Sequence, residues 1–445
     1  MKQPSPQQLL DRQCERLRQE LSLANVEGLA RRSGFLRRCP RKIPIRDFLL
    51  ALLSVAGESF LTLERLAKVI ALAAQQPYSK QALHKRLTLA AQRFLVQVTT
   101  ALFGQLPEAQ ARKRGWLAPF GRVLLHDSTI QSLPTHLAQV FPGSRNQRQT
   151  FAALKVQFVT DLLSSEVVQV SLASFRDQDL TAAGDVLEVL RPGDLLIRDL
   201  GYFVIRAFQW IDALEAFFLS RCRSDITIYD PRTGAGLDLV AELRRTAHLD
   251  REVLIGRERL RVRLVALPVP EEVKNQRRRR LKQNRDQRSA PSARRLFLLG
   301  WTLLITNVPK QIWPTQALLP VYRLRWRIEV IFKAWKSQLR FRDFHCRSAN
   351  VLRLCVMIKL CFCALVYRYS QALEWLAATP SARHVSLNRI ARILAGYSCL
   401  IQGALLARSP QELLNHALNE HGYYETRADR NNFFDLVVMA TGELG

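Results

Sequence analysis

What constrains the fold most is that the hydrophobic period changes twice along the chain. From Ser5 to about Arg114 apolar residues recur at helical spacing almost throughout, with an amphipathic stretch at Gln7 to Leu23, a core helix at Ile45 to Val55 and another helix opening at Leu61-Thr62-Leu63-Glu64. Around Gly121 the period becomes that of strands, and from about Thr315 it is helical again to the end of the sequence. A strand-rich middle between two helical regions predicts a mixed α/β core with helices before and after it.

Within the middle region Arg122 to Asp127 reads as a short strand ending in a carboxylate, and Lys155 to Leu163 with Glu166 to Ser174 as a hairpin about Ser164-Ser165. A helix at Thr181 to Leu190, a strand at Asp194 to Asp199, a helix at Ile205 to Glu215 and a strand at Ala216 to Arg221 follow. Three antiparallel strands and then alternating helices and strands resemble an RNase-H-like α/β fold. Strands return at Leu237 to Leu243, Arg259 to Leu267 and Leu296 to Thr306, and Pro320 is expected near the first turn of the helix that follows. In the first helical region Ser79 caps a helix with a basic face, Lys80 to Arg86, after the Gln76-Pro77 break. That pattern suggests a helix-turn-helix, although many small helical bundles read the same way.

A chain of 445 residues is long for one compact domain, so two to four domains are expected. The expected division is a helical DNA-binding region at 1–115, the first part of the α/β core at 116–223, a strand-rich insertion with a basic loop at 224–312, the second part of the core at 313–345, and a separate helical module at 346–445 that is a candidate for dimerisation.

Charge narrows the partner. A formal net charge of +28, from 66 Lys+Arg against 38 Asp+Glu, calls for a polyanion, and nucleic acid fits better than an anionic membrane surface. The run from Lys274 to Arg295 concentrates this charge, with Arg277 to Arg280 in succession, and self-repulsion predicts a disordered loop unless DNA supplies the counter-charge. The most apolar segment, Leu352 to Tyr369, contains Arg353, Lys359 and Arg368 and reads as a buried helix of a globular domain, so no membrane partner is expected. Asp11, Arg12, Glu15 and Arg16 stand where a signal peptide would be apolar, which predicts a cytoplasmic protein. The cysteines, Cys361 and Cys363 among them, lack metal-ligand spacing and read as buried thiols.

Three acids carry the chemistry. Tyr322, Arg325, Glu329 and Lys336 are offset by three, four and seven, which brings them to one face of an α-helix. A carboxylate there could hold a divalent cation while the cations grip phosphates, and a solvated helix with an internal Arg325–Glu329 pair has the same pattern. Asp127 ends the first predicted strand and Asp199 ends the strand before Gly201-Tyr202, positions that face the crevice at the carboxyl ends of an open sheet. Singly each is an ordinary turn former; with Glu329 they make a set. His126 is turned to the opposite face by strand alternation and reads as structural.

The spacing Tyr322-x2-Arg325-x3-Glu329-x6-Lys336, Asp127 before Ser-Thr, and Asp199 in Asp-x-Gly-Tyr together resemble the insertion-sequence DDE transposases of the IS-four family, over most of the chain. The resemblance implies an RNase-H-like α/β catalytic core interrupted by a β-rich insertion and flanked by all-α N- and C-terminal domains. It implies that Asp127, Asp199 and Glu329 hold two Mg2+ ions, with Mn2+ as a substitute, and that Tyr322, Arg325, Lys333, Lys336 and Arg221 contact DNA. It further implies a homodimer on paired transposon ends, a double-stranded DNA target, cut-and-paste transposition in a bacterial, nucleoid-associated setting, and a Trp301 that stacks on a flipped base. Trp301 has apolar neighbours in Leu299, Leu303 and Leu304, so a core position is the other reading. A metal-dependent nuclease that cuts without joining, and a non-catalytic DNA-binding derivative, are the rival functions.

Overall fold

The computed structural model describes residues 15, 19–38, 43–58, 61–102, 115–145, 149–164, 166–175, 184–283, 291–341, 344, 348–377 and 386–396. Among the described residues five helices come first: α1 (Leu23–Arg32), α2 (Ile45–Ser54), α3 (Leu63–Ala74), α4 (Lys80–Arg86) and α5 (Leu89–Leu102). Ser22, Thr62 and Ser79 accept from Asn25, Arg65 and Ala82 backbone N–H, so short polar side chains satisfy first-turn donors that a helix leaves open. Most of the predicted Gln7 to Leu23 segment lies outside the described residues.

The strands are β1 (Val123–Leu133), β2 (Pro142–Arg145), β3 (Thr150–Asp161), β4 (Val167–Ser174), β5 (Leu195–Arg198), β6 (Phe217–Arg221), β7 (Ile228–Tyr229), β8 (Leu249–Ile255), β9 (Leu260–Pro268) and β10 (Trp301–Thr306). The later helices are α6 (Ile205–Ala213), α7 (Leu239–Arg245), α8 (Glu271–Gln283), α9 (Ala293–Leu298), α10 (Thr315–Arg323), α11 (Trp326–Ser337), α12 (Ala349–Ala377) and α13 (Leu387–Gly396). All ten strands form one sheet in the order β2-β3-β1-β5-β6-β10-β9-β8-β7, with β4 also on β3. β1 is antiparallel to β3 and parallel to β5, and β5 is parallel to β6. Every residue of β5 is buried, as expected of a short parallel strand covered on both faces.

Apolar residues on the two faces build two cores. Leu125, Leu195, Ile197, Leu219 and Leu304 pack on one side with residues of α10, α11 and α12, while Leu124, Leu196, Phe218 and Ile305 pack on the other with residues of α6, α7 and α9. Because β10 pairs antiparallel with β6, the strands after residue 223 extend the same sheet.

Several local expectations are corrected. Leu237 to Leu243 is not a strand: Asp238 accepts from Val240 N at 2.9 Å and the good helix formers behind it give α7, so capping overrides alternation. Leu296 to Thr306 divides into α9, capped by Ser292, and β10 beyond Gly300. β8 went unforeseen. Within the predicted helix Thr181 to Leu190 the described part holds only a 3-10 turn at Asp185–Glu188, and residues 181–183 lie outside the described residues. The basic run is helical over α8 rather than a loop; Lys, Arg and Gln are strong helix formers and Glu271 and Glu272 complement the positive helix N-terminus. Pro320 sits inside α10, past its first turn.

The described start of the segment after residue 346 packs into the rest of the fold. α12 is buried from Val351 to Tyr367 apart from half-buried Arg353, and packs on α5 and α13. Thr99 Oγ1 lies 2.8 Å from Cys361 Sγ, and fully buried Lys359 donates to the carbonyls of Ala56 and Glu58. Ala349–Tyr367 is long and apolar enough to cross a membrane, yet 83% of it is buried inside the protein, as in the core helix of a globular fold. Residues 397–445, and with them about half of the proposed dimerisation segment, lie outside the described residues. Cys222, Cys355, Cys361 and Cys363 are buried free thiols.

Candidate active site

The parallel pairing of β1, β5 and β6 ends in register at His126, Arg198 and Ser220. The next residues on the three strands are Asp127, Asp199 and Arg221. Alternation puts them on the face of Leu125, Ile197 and Leu219, the side covered by α10, α11 and α12. Asp127 is thus not at the end of its strand, since β1 runs on to Leu133 along β3, but at the end of the stretch shared with β5.

Glu329 arrives from above this row on α11. The expected single helix from Tyr322 to Lys336 is interrupted at Leu324 and Arg325, where backbone bonds step by three residues: Leu324 N to Val321 O, Arg325 N to Tyr322 O, Arg327 N to Leu324 O. Pro320 lacks the N–H that would bond the Gln316 carbonyl, so it interrupts α10 one turn earlier and not at the break itself. The break keeps the polar residues together. Tyr322 Oη donates to Asp199 Oδ1 at 3.2 Å. Arg325 reaches Asp127 Oδ2 through Nη1 at 3.3 Å, Asp199 Oδ1 through Nε at 3.9 Å, and Glu329 Oε1 through Nη2. One guanidinium therefore joins all three acids.

Depth differs among them. The Asp127 side chain is 20% exposed, against 40% for Asp199 and 45% for Glu329, so Asp127 forms the floor and Glu329 the rim. Burial raises the Asp127 carboxyl to about 6; the Ser128 N–H and Arg325 pull it down, and Asp199 and Glu329 push it up. Burial first, and Asp199 next, hold the Tyr322 hydroxyl well above its usual range, so it remains a donor. Burial works against the Arg325 charge, but Asp199, Tyr322 and Glu329 outweigh it and keep the guanidinium protonated.

Carboxylate oxygens on rigid strands are the donor set that hard cations such as Mg2+ or Mn2+ take. Among the described residues no three His, Cys, Asp or Glu stand close enough together to hold one ion, because Arg325 lies between these acids and supplies the positive charge itself. The donor chemistry suits such an ion, and in this structure Arg325 occupies the place it would take.

Beyond the acids, Lys333 is exposed and Lys336 half-buried on α11, on the turns after Glu329. Arg221 bears on the Tyr322 hydroxyl from the next strand. Trp301 does not join this group: it lies on the face of Leu303 and Ile305, half-buried in the opposite core with its ring 6.4 Å from that of Phe297. Trp326 went unnoticed although it shares the signature; it is 46% exposed and shares an open stripe with Glu329 and Lys333 at offsets of three and seven. His126 is on the far face as alternation predicts, fully buried against the Tyr202 ring at 4.2 Å, and burial and then Arg198 keep it neutral. Tyr202 Oη donates to Gln157 Oε1 at 2.7 Å and so braces the turn that follows Asp199.

Comparison with known proteins places these positions in context. Residues 118–366, from just before β1 into α12, match the family model described as a transposase DDE domain. The transposase for insertion sequence element IS231C of Bacillus thuringiensis subsp. berliner is 30% identical over 363 residues, 76% of this chain and 75% of that protein. That for IS231B of the same organism is 26% identical over 95% of this chain and 94% of its own length, and that for IS1151 of Clostridium perfringens 24% over 72% of each. A cryo-EM structure of piggyBac transposase in a synaptic complex with hairpin DNA superposes with a TM-score of 0.43 at 9% identity, covering 91% of this chain and 84% of that one, a likeness too loose to carry an argument.

Proposed function

Since this chain belongs to the insertion-sequence DDE transposases, we propose that it binds the terminal inverted repeats of its own element, cuts the DNA there with the help of divalent metal, and joins the freed 3′ ends to target DNA. The observation that carries this reading is the meeting of Asp127, Asp199 and Glu329, from two adjacent strands and a helix, on one cationic group. Binding DNA would not call for three acids in so basic a protein; holding metal against a phosphodiester would.

In this reading Asp127, Asp199 and Glu329 would hold two Mg2+ ions, or Mn2+ in their place. Such ions would supply Lewis acidity and help activate the attacking oxygen, water for cutting and a 3′-hydroxyl for joining. With metal bound, Arg325 would be free to turn its fork to a phosphate, a geometry that guanidinium matches. Tyr322, held neutral, donates to the backbone, and Lys333, Lys336 and Arg221 neutralise phosphates on either side. Trp326 is better placed than Trp301 to stack on an unpaired base, because its ring is open beside Glu329 while Trp301 packs on the other face.

The strand order supports an RNase-H-like core: β4 and β3 antiparallel, then β1, then β5 and β6 parallel to it. The IS-four assignment rests on the Tyr-Arg-Glu-Lys spacing, the helix-turn-helix role on the capped basic helix α4 after α3, and the cytoplasmic, dimeric, end-pairing enzyme on the resemblance. The test is to incubate the purified protein with Mg2+, a duplex carrying the repeat that flanks the gene, and a supercoiled target plasmid. Repeat-dependent cutting with covalent insertion into the plasmid is expected; cutting without any joined product would make the protein a nuclease on this fold.

A further inference from the structure

If the acid face cuts DNA, the chain must also hold the phosphates that flank the cut, and the sheet offers a pair of arginines for one of them. Arg221 stands beside Asp199 in the row that follows the last paired positions of β5 and β6. On its other side it pairs with Leu304 of β10, which lies in the core of the acid face. Thr302, two residues earlier on β10, faces the same way, and its Oγ1 accepts from Arg277 Nη2 at 3.2 Å. Arg277 Nη1 donates to the backbone oxygens of Trp301 at 2.8 Å and Leu299 at 3.1 Å. The first arginine of the basic run is thereby laid over the sheet diagonally from Arg221, tied down only by neutral acceptors.

Among the described residues neither guanidinium has a carboxylate in ion-pair range, and both side chains are half-buried. Their closeness is felt: burial first, and then Arg221, lowers the Arg277 pKa. Two like charges held together in partly desolvated surroundings cost free energy until an anion joins them. Three hydrogen bonds nevertheless fix Arg277 in this place, which is the arrangement of a site organised before its ligand arrives, and planar guanidinium forks suit phosphate oxygens.

We propose that Arg221 and Arg277 form a phosphate-binding site on the acid face, one strand beyond Asp199, that takes a backbone phosphate of the bound DNA end. Two strand spacings, roughly 10 Å, separate Arg221 from Asp127, so this phosphate is a neighbour of the one between the acids and not the same one. The site also seats α8, and with it Arg278, Arg279 and Arg280, along the path of the DNA. The proposal rests on the part of the DNA-cutting reading in which DNA lies across the acid face.

The test measures binding of a labelled duplex carrying the flanking repeat to the full chain in metal-free buffer, across a salt series. Arg221→Gln and Arg277→Gln should each weaken binding about 10- to 100-fold and flatten the log–log salt slope by about 1. The double variant should lose little more than either single one, since both side chains hold one phosphate. A wild-type slope in Arg277→Gln, or fully additive losses, would overturn the shared site. Should Arg277→Gln melt early, Arg221→Gln carries the test, because its side chain makes no hydrogen bond among the described residues; an unchanged slope there sinks the proposal. Cleavage is not involved, so a protein that binds as expected and cuts nothing would defeat the reading of the acids and leave this site standing.

Discussion

Arg325 is the residue on which the site turns. It satisfies the three acids in the absence of metal, which explains how carboxylates can be gathered at one point of the fold without repelling it apart. It is also their competitor for cations. Replacing it with Gln should tighten Mn2+ binding to the DNA-free protein by about tenfold or more, since a unit charge at ~4 Å and an effective dielectric of ~20 is worth several kcal/mol before solvent screening. Calorimetry with Mn2+ measures this, and an unchanged or weaker affinity would show that Arg325 does not guard the acids. Asp127 adds a pH dependence whose sign is fixed by its raised carboxyl. Below about 6 it is protonated and metal must displace the proton, so affinity should fall by up to about tenfold per pH unit under that point and level off above it. Flat affinity from mildly acid to neutral pH would remove Asp127 from the metal shell. Asp127, Asp199 and Glu329 stood out as candidates in the sequence because carboxylates after apolar strands and a spaced helix motif are local patterns. Their joint hold on Arg325 was not, because it depends on strand register and on where a helix breaks.

Among the elements, the break between α10 and α11 and the alternation of β10 decide which side chains reach the acids. Helical offsets alone put Tyr322 and Glu329 on one face, and the outcome agrees although the helix does not continue. Alternation could equally have placed Trp301, which shares the face of Leu303 and Ile305, away from the acids. The two tryptophans should therefore part on substitution. Trp301→Ala should lower the melting temperature and depress every catalytic step together, by up to about 3 to 5 kcal/mol of stability for a fully buried ring and less for this half-buried one. Trp326→Ala should leave melting near wild type, because the ring is 46% exposed, and slow whatever step needs an unpaired base. The opposite pattern would return Trp301 to the site. α7 and α8 were misread for one reason: capping carboxylates and helix-forming Lys and Arg outweighed alternation in one case and self-repulsion in the other.

At the scale of the whole molecule, composition foresaw a basic protein with a mixed core and helices before and after it, but not how its parts join. The strands after residue 223 continue the sheet that carries the acids, so the basic helix α8 is referred to the same rigid frame as Asp199. α12, which reads as the start of a separate region, instead ties α5 to the helices over the acid face through a continuous apolar core. Contacts so distant in sequence leave no local pattern, which is why the chain divides more cleanly on paper than in space. Such a frame matters for a site built from three separated segments, since on the proposed reading small displacements of one acid would spoil its share in holding metal. The central claim is that Asp127, Asp199 and Glu329 act as one metal-dependent cutting site. Its most direct test is Mg2+-dependent cleavage of a duplex carrying the flanking repeat by Asp127→Ala, Asp199→Ala and Glu329→Ala, with binding of the same duplex measured in parallel. Each variant should bind the DNA as well as the unaltered protein or better and cut it not at all; near-normal cleavage by any of the three would contradict the account.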